Sequence, residues 1–423
     1  MDTQQTTSLL VGLAVIVLLA RLLGALARRC GQPAVIGEVL AGVALGPTLL
    51  DGALSDALFP DTVRPLLSAL AAVGVAVFMF IVGLEIDAAL LRGNGRLAVT
   101  VSLSSILVPC GLGMLLALYL AGDYSTGDKQ GLVLFMGVAM AITAFPVLAR
   151  ILTDRQMTRT PLGAVALACA AIGDVLAWVL LAVVVAISSP GGADQWRMLL
   201  AVPYLLIMFF VLRPLLRRLA ARRSELRLTP TLFACILAGL LLSAAATEWV
   251  GLHYIFGAFL FGAILPRTGT EQLHAEVHNR LGQMTGTLLL PVFFLVSGLK
   301  VDLSDMDTGG LGALALIMLV AVGGKSAGAI AAARLHRMPL RQSAALATLL
   351  NTRGLTELIV LNVGLQLGFI GQDLYSLMVV MAVITTAMTG PLLSWILGRP
   401  RENDPPPAAG APERRTGTVG TPA

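Results

Sequence analysis

Charge is scarce in this chain of 423 residues: Asp, Glu, Lys and Arg make up 13% of it, against about 25% in an ordinary soluble domain. That shortage excludes the charged, water-facing surface of a globular protein. Aromatic residues are few as well, at 5%. Without an aromatic-rich basic surface, and with the arginines gathered in alternate loops, the net charge of +5 sets topology and implies no nucleic-acid partner. The four cysteines, Cys30, Cys110, Cys169 and Cys235, stand singly in or beside apolar runs. They lack the spacing of a metal or redox site and read as small packing residues, so no cofactor and no resident metal are expected.

What the chain does hold is apolar: 57% hydrophobic residues and 44 glycines, the composition of a polytopic membrane protein. Turn chemistry divides it into about thirteen stretches near the length a bilayer requires. They fall near 7–27, 33–50, 64–84, 97–121, 130–151, 162–187, 198–216, 230–248, 252–266, 283–299, 310–333, 343–369 and 374–397. Basic residues favour alternate loops: Arg28 and Arg29, Arg92 and Arg96, Arg150 with Arg155 and Arg159, Arg213 to Arg227, and Arg334 with Arg337 and Arg341. The intervening loops carry Asp51, Asp56 and Asp61, then Asp123 and Asp128, then Asp302, Asp305 and Asp307, with only an occasional Arg64, Lys129, Arg197 or Lys300. This alternation predicts a multi-pass protein of the cell membrane with its amino terminus outside and its carboxyl terminus cytoplasmic. The first span has its arginines after the apolar run and reads as an uncleaved anchor. Residues 399–423, rich in Pro, Gly and Ala, are expected to be a disordered tail after a membrane domain over 1–398.

Three apolar spans nevertheless contain charges: Asp174, Lys325, and Arg353 with Glu357. An ionisable group at the bilayer centre costs about 2.5 to 3.5 kcal/mol on insertion scales, which points to ion traffic. The chain also repeats itself. PAVIGEVLAGVALGP, with Gly37 and Gly42, recurs as HYIFGAFLFGAILPR, with Gly257 and Gly262; FMFIVGLEID, with Gly83 and Asp87, recurs as VFFLVSGLKVD, with Gly298 and Asp302. The intervening spans make the second copy cross in the opposite direction, the inverted-repeat plan of secondary transporters. Repeat one covers about 33–187, a linker span about 198–216, and repeat two about 252–397.

Carrying the register onward pairs two spans that both contain helix-breaking chemistry. Thr143, Ala144, Phe145 and Pro146 put a proline mid-span, and Asn351, Thr352, Arg353 and Gly354 put polar side chains and a glycine at the matching place. Broken helices leave unpaired backbone groups at membrane depth, tolerable only where they line a cavity or the protein interior. They also aim half-helix dipoles at the break.

PAVIGEVLAGVALGP, FMFIVGLEID, TAFPVLARIL, AAIGDVLAW and NTRGLTELIVLN resemble, in order, the signature segments of the monovalent cation/proton antiporter-2 family, and most closely its plant and fungal cation/H+ exchanger branch. The resemblance implies an all-α fold of about thirteen transmembrane helices, a dimerisation domain, a mobile core domain with two crossed discontinuous helices, and a homodimer. It also implies that Asp174 is the ion-binding carboxylate and that Lys325 is the basic residue on the facing helix. Where electrogenic relatives carry two adjacent aspartates, this chain has Gly173 before Asp174. One titratable charge fewer favours one-for-one exchange of Na+ or K+ for H+, unless Lys325 itself carries a proton or Glu357 supplies another acid.

The expected chemistry is competition for one carboxylate. Ionised Asp174 holds a partly dehydrated cation with help from Thr143, from backbone carbonyls of the broken helices lined by Ala144, Phe145, Pro146, Asn351, Thr352 and Gly354, and from the close approach Gly173 permits. Lys325, Arg353, Glu357 and Glu38 are candidates for charge compensation. Several alternatives remain open. Asp174 and Lys325 form a static ion pair in one. Arg353 and Glu357, at i and i+4, form either a mutual pair or a direct ion contact. Glu38 caps or pairs within the core domain, and His274 and His278, read as loop residues, form a pH-sensing surface or, less readily, a metal site. A gated cation channel and an organic-anion symporter are the competing functions.

Overall fold

The computed structural model describes residues 3–48, 53–85, 95–158, 160–188, 200–221, 228–266, 270–304 and 306–398. Asp51, Asp87, Arg92, Arg159, Arg197, Asp305, residues 222–227 and the expected tail at 399–423 lie outside the described residues. Among the described residues there is no strand.

In chain order the helices are α1 (Thr3–Arg29), α2 (Ala34–Leu45), α3 (Ala53–Leu58), α4 (Arg64–Glu85), α5 (Gly95–Tyr124), α6 (Lys129–Ala141), α7 (Phe145–Asp154) and α8 (Pro161–Ser188). There follow α9 (Ala201–Leu206), α10 (Arg213–Ala221), α11 (Pro230–Val250), α12 (Tyr254–Ile264), α13 (Glu271–Met284) and α14 (Leu290–Leu299). The last are α15 (Thr308–Leu319), α16 (Lys325–Leu335), α17 (Leu340–Leu350), α18 (Leu355–Gln366) and α19 (Gln372–Leu397). Wide π turns at Ile207–Leu212, Thr285–Leu289 and Val320–Gly324 join α9 to α10, α13 to α14 and α15 to α16.

Among the described residues, nine helices are long and apolar enough to cross a bilayer, and the bent pair α17 and α18 makes a tenth. α2 and α12, with 12 and 11 residues, are apolar but short; at about 1.5 Å per residue neither covers a full hydrocarbon thickness. The starts are set by local chemistry. Asp128 accepts from the Gly131 amide, Thr229 from Leu232 with Pro230 following, and Asp307 from Gly310, each satisfying an orphan donor of a first turn. The segment carrying His274 and His278, expected as a loop, is instead helical. α13 runs through the π turn into α14 as one 28-residue span, its polar first half merely continuing the apolar helix backwards.

Packing sorts the helices into two groups. α1, α2, α4, α11, α12, α13 and α14 pack on one another, and so do α5 to α8 with α15 to α19. The groups meet where α14 touches α18 and α2 touches α19. Within the first group the repeated glycines find each other. A methyl on Gly42 of α2 would strike the Leu295 carbonyl and Gly298 of α14; a methyl on Gly262 of α12 would strike the Phe80 carbonyl of α4, and one on Gly83 the Phe259 carbonyl. Likewise Gly37 rests on Leu23 of α1 and Gly257 on Ser243 of α11. Each short helix of one repeat is therefore clasped by the next helix of the other, at backbone distances only glycine permits.

Candidate ion-binding site

α6 stops at Ala141, three residues short of Pro146-bearing α7, and α17 stops at Leu350, with α18 restarting at Leu355 after a bend of 46°. Proline removes the donor that would continue α6 through the break. Gly354, at φ 149°, takes a backbone conformation that side chains resist, and a methyl there would also press on Val147. The two breaks lie against each other: the Ala144 amide donates to the Thr352 carbonyl at 3.0 Å, and the Thr143 hydroxyl donates to the Leu350 carbonyl at 2.8 Å. Two interrupted helices thus cross at membrane depth and satisfy part of each other's broken backbone.

The negative end of α6 is covered by cations. Arg353 donates to the Ala139 carbonyl at 2.9 Å and the Met140 carbonyl at 2.8 Å. Lys325 donates to Ala141 at 2.8 Å and to Ile142. Both side chains are 0% exposed. Arg353 also pairs with Glu357 at 2.8 Å, so of the two arrangements its spacing allowed, the mutual pair is the one found. Cationic donors at a helix C-terminus meet both its orphan carbonyls and its partial charge.

Asp174, on α8, is 2% exposed, and neither carboxylate oxygen receives a hydrogen bond of full geometry. The Phe145 amide, at the positive start of α7, approaches it as a backbone donor and Lys325 acts on it electrostatically, but no ion pair within 4.0 Å joins Asp174 to Lys325. Beside it, Gly173 faces open space: a methyl there meets no atom within 4 Å. Asn351 Oδ1, Thr356 Oγ1 and Glu357 Oε1 are further buried oxygens without partners. Leaving buried oxygens unpaired is costly, and a buried carboxylate in that condition is a group that a dehydrated alkali cation or a proton could complete.

The transmembrane sodium/hydrogen exchanger profile matches residues 14–399. This chain belongs to the sodium/hydrogen exchanger family. It is 40% identical over 412 residues to the Na(+)/H(+) antiporter NhaS4 of Synechocystis sp., covering 95% of this chain and 100% of that one. It is 37% identical over 393 residues to Cation/H(+) antiporter 17 of Arabidopsis thaliana, covering 91% of this chain and 48% of the plant protein, so it spans about half the length of that relative. Its fold matches that of the sodium proton antiporter MjNhaP1 from Methanocaldococcus jannaschii, with a TM-score of 0.65 at 14% identity, over 93% of this chain and 99% of that one.

Within this exchanger chain the residues singled out from sequence separate into two places. Thr143, Ala144, Phe145, Pro146, Asn351, Thr352, Arg353, Gly354 and Glu357 occupy the two interrupted helices, and Lys325 caps α6 from α16. Glu38 sits elsewhere, on α2 in the first helix group, against Gly24 and within electrostatic reach of Arg21 and Arg28 of α1. His274 Nε2 donates to the Pro266 carbonyl at 2.9 Å, and His278 pairs with Glu85 at 3.1 Å. Sequence reasoning passed over Thr386 of α19, whose hydroxyl takes the Arg353 amide at 3.2 Å and gives to the Arg353 carbonyl at 2.7 Å, closing the second break. It also passed over Thr356. Both stand out in apolar spans as hydroxyls, but threonine is common enough in membrane helices to carry little signal alone.

Proposed function

We propose that this chain is a secondary antiporter of the cell membrane that exchanges Na+ or K+ for H+ by alternating access, with Asp174 holding cation and proton in turn. The observation that carries this reading is the Asp174 carboxylate itself: buried, unpaired, next to open space at Gly173 and to the start of α7. A bare carboxylate in that place meets the full desolvation penalty, so the core helices move only after a proton or a cation has neutralised it. That condition couples the two fluxes. The relatives' names, as cation/proton antiporters, support the same cargo. Arg353, through both terminal nitrogens, and Lys325 donate to α6 carbonyls and Glu357, which favours cation over organic-anion cargo. The loop charges support an amino terminus outside and a cytoplasmic carboxyl terminus, and the family resemblance supports a homodimer.

The test is dye-reported proton release from acid-loaded everted vesicles on addition of Na+ or K+. The parent restores fluorescence and Asp174→Asn does not; a signal of parental size in Asp174→Asn overturns the assignment.

A further inference from the structure

Away from the crossing, the two helix groups are joined by a second polar network, which neither ion binding nor the broken helices require. Lys300, at the end of α14, donates to Asn362 Oδ1 of α18 at 2.8 Å. Asn362 Nδ2 donates to Ser297 of α14 at 2.9 Å and lies 3.3 Å from the Tyr375 hydroxyl of α19. Tyr375 in turn donates to the Ser297 carbonyl at 2.9 Å. Ser297 and Lys300 belong to the first group, Asn362 and Tyr375 to the second, so every link but one within α18 and α19 crosses the boundary. A cavity of about 50 Å³ lies against the network, lined by Ser68, Ala72, Tyr254, Ser297, Lys300 and Asn362. Asn362 follows Glu357 by five residues, about 7.5 Å along α18, which puts the network between the crossing and the membrane face where α14 and α18 end.

The repeat register gives this arrangement a meaning. Lys300 stands where Glu85 stands in the other copy, at the end of α4 and so towards the opposite face. Glu85 pairs with His278 of α13, inside its own group, at 3.1 Å, whereas Lys300 reaches across to the other group. One face is bridged by this position and the other is not, and such asymmetry between matching positions is what an alternating-access protein displays in any one state.

We infer that Lys300 is a gate residue: its bond to Asn362, braced by Ser297 and Tyr375, closes the passage from its own face to Asp174, and the cycle opens that face by releasing it. The inference rests on the antiporter reading. While bridged, the ammonium also places positive charge across a cation's route. By the loop-charge topology proposed above, this is the outer face.

The test begins with a measurement that needs no transport. In a background with the four native cysteines replaced, Ala72→Cys is labelled from the Lys300 face with a membrane-impermeant maleimide. Labelling is expected to speed up at least fivefold in Lys300→Met and in Asn362→Leu, and to stay at the parental rate in Lys300→Arg, which keeps the bond; equal rates in all four proteins overturn the gate. Two transport measurements then separate a gate from a loosened scaffold. A shifted population lowers the cation KM measured from the Lys300 face and raises it from the opposite face, each severalfold in Lys300→Met; a shift in the same direction at both faces argues for simple damage and against the gate. Oxidation of Ser297→Cys/Asn362→Cys should abolish exchange and dithiothreitol restore it, and full exchange by the cross-linked protein would overturn the proposal. Parent protein that moves no protons in response to cations sinks the antiporter reading, while the labelling rates still report on the gate.

Discussion

Arg353 and Glu357 are both 0% exposed and joined at 2.8 Å, so neither can lose its partner to water. Removing one member of a buried pair leaves an uncompensated charge and costs about 3 to 5 kcal/mol. Glu357→Leu is therefore expected to lower the thermal midpoint of the detergent-purified protein sharply, and Arg353→Met/Glu357→Leu to lower it by less than the two single losses combined. The double variant keeps a deficit, because the Ala139 and Met140 carbonyls lose their donors at about 1 to 3 kcal/mol each. Strictly additive midpoints would contradict the coupling. The i, i+4 spacing made the pair readable from sequence. The α6 cap was not readable, because Arg353 is 214 positions from Ala139 and no local pattern reports on so distant a helix end. Gly173 gives a second residue-scale prediction. The space beside it accepts a Cβ, so Gly173→Asp should still fold, with a thermal midpoint lowered by the desolvation of a second buried carboxyl, and carry a second titratable charge. Exchange in proteoliposomes should then become dependent on an imposed membrane potential, and indifference to potential in this variant would contradict the placement.

At the scale of elements, the helix clasp makes the glycines of the two repeats unequal to glycines elsewhere. A methyl at Gly42 or Gly262 meets backbone that cannot turn aside, and forcing extra volume into a packed contact costs about 1 to 3 kcal/mol. Gly42→Ala and Gly262→Ala should each lower the thermal midpoint by several degrees. Gly111→Ala on α5, where a methyl meets nothing within 4 Å, should be neutral or slightly stabilising through helix propensity. Equal behaviour of all three would remove the clasp as an explanation. These same glycines are what made the repeat visible in the sequence, since close backbone approach leaves a residue-type signature. The grouping of helices left no such signature: α2 and α14 are far apart in the chain and neighbours in space, and only the glycine match hinted at it. The polar half of α13 misled for a physical reason as well, because a helix that leaves the bilayer loses its apolar pattern before it loses its backbone hydrogen bonds.

For the whole molecule, the charge count at the crossing decides what a cycle moves. Arg353 and Glu357 neutralise each other, and Lys325, held on the α6 carbonyls, enters the count alike in both loaded forms. Asp174 is then the remaining acid of the proposed site; on the reading that it carries one alkali cation or one proton in turn, the two loaded forms have the same charge and the translocating step moves the same charge in both directions. Exchange by the parent should accordingly be insensitive to a clamped membrane potential in proteoliposomes. A single shared carboxylate makes a further, sharper demand on kinetics. Protons on the cation's side compete for the same oxygens, so with the opposite compartment held at fixed pH, the apparent KM for the cation should rise about tenfold for each unit of acidification once the carboxyl is mostly protonated. The maximal rate at saturating cation should stay constant over the same range, because enough cation displaces every proton. Separate sites would produce the reverse pattern, a flat KM with a maximal rate that follows pH, and that outcome would mean that Asp174 does not carry both ions.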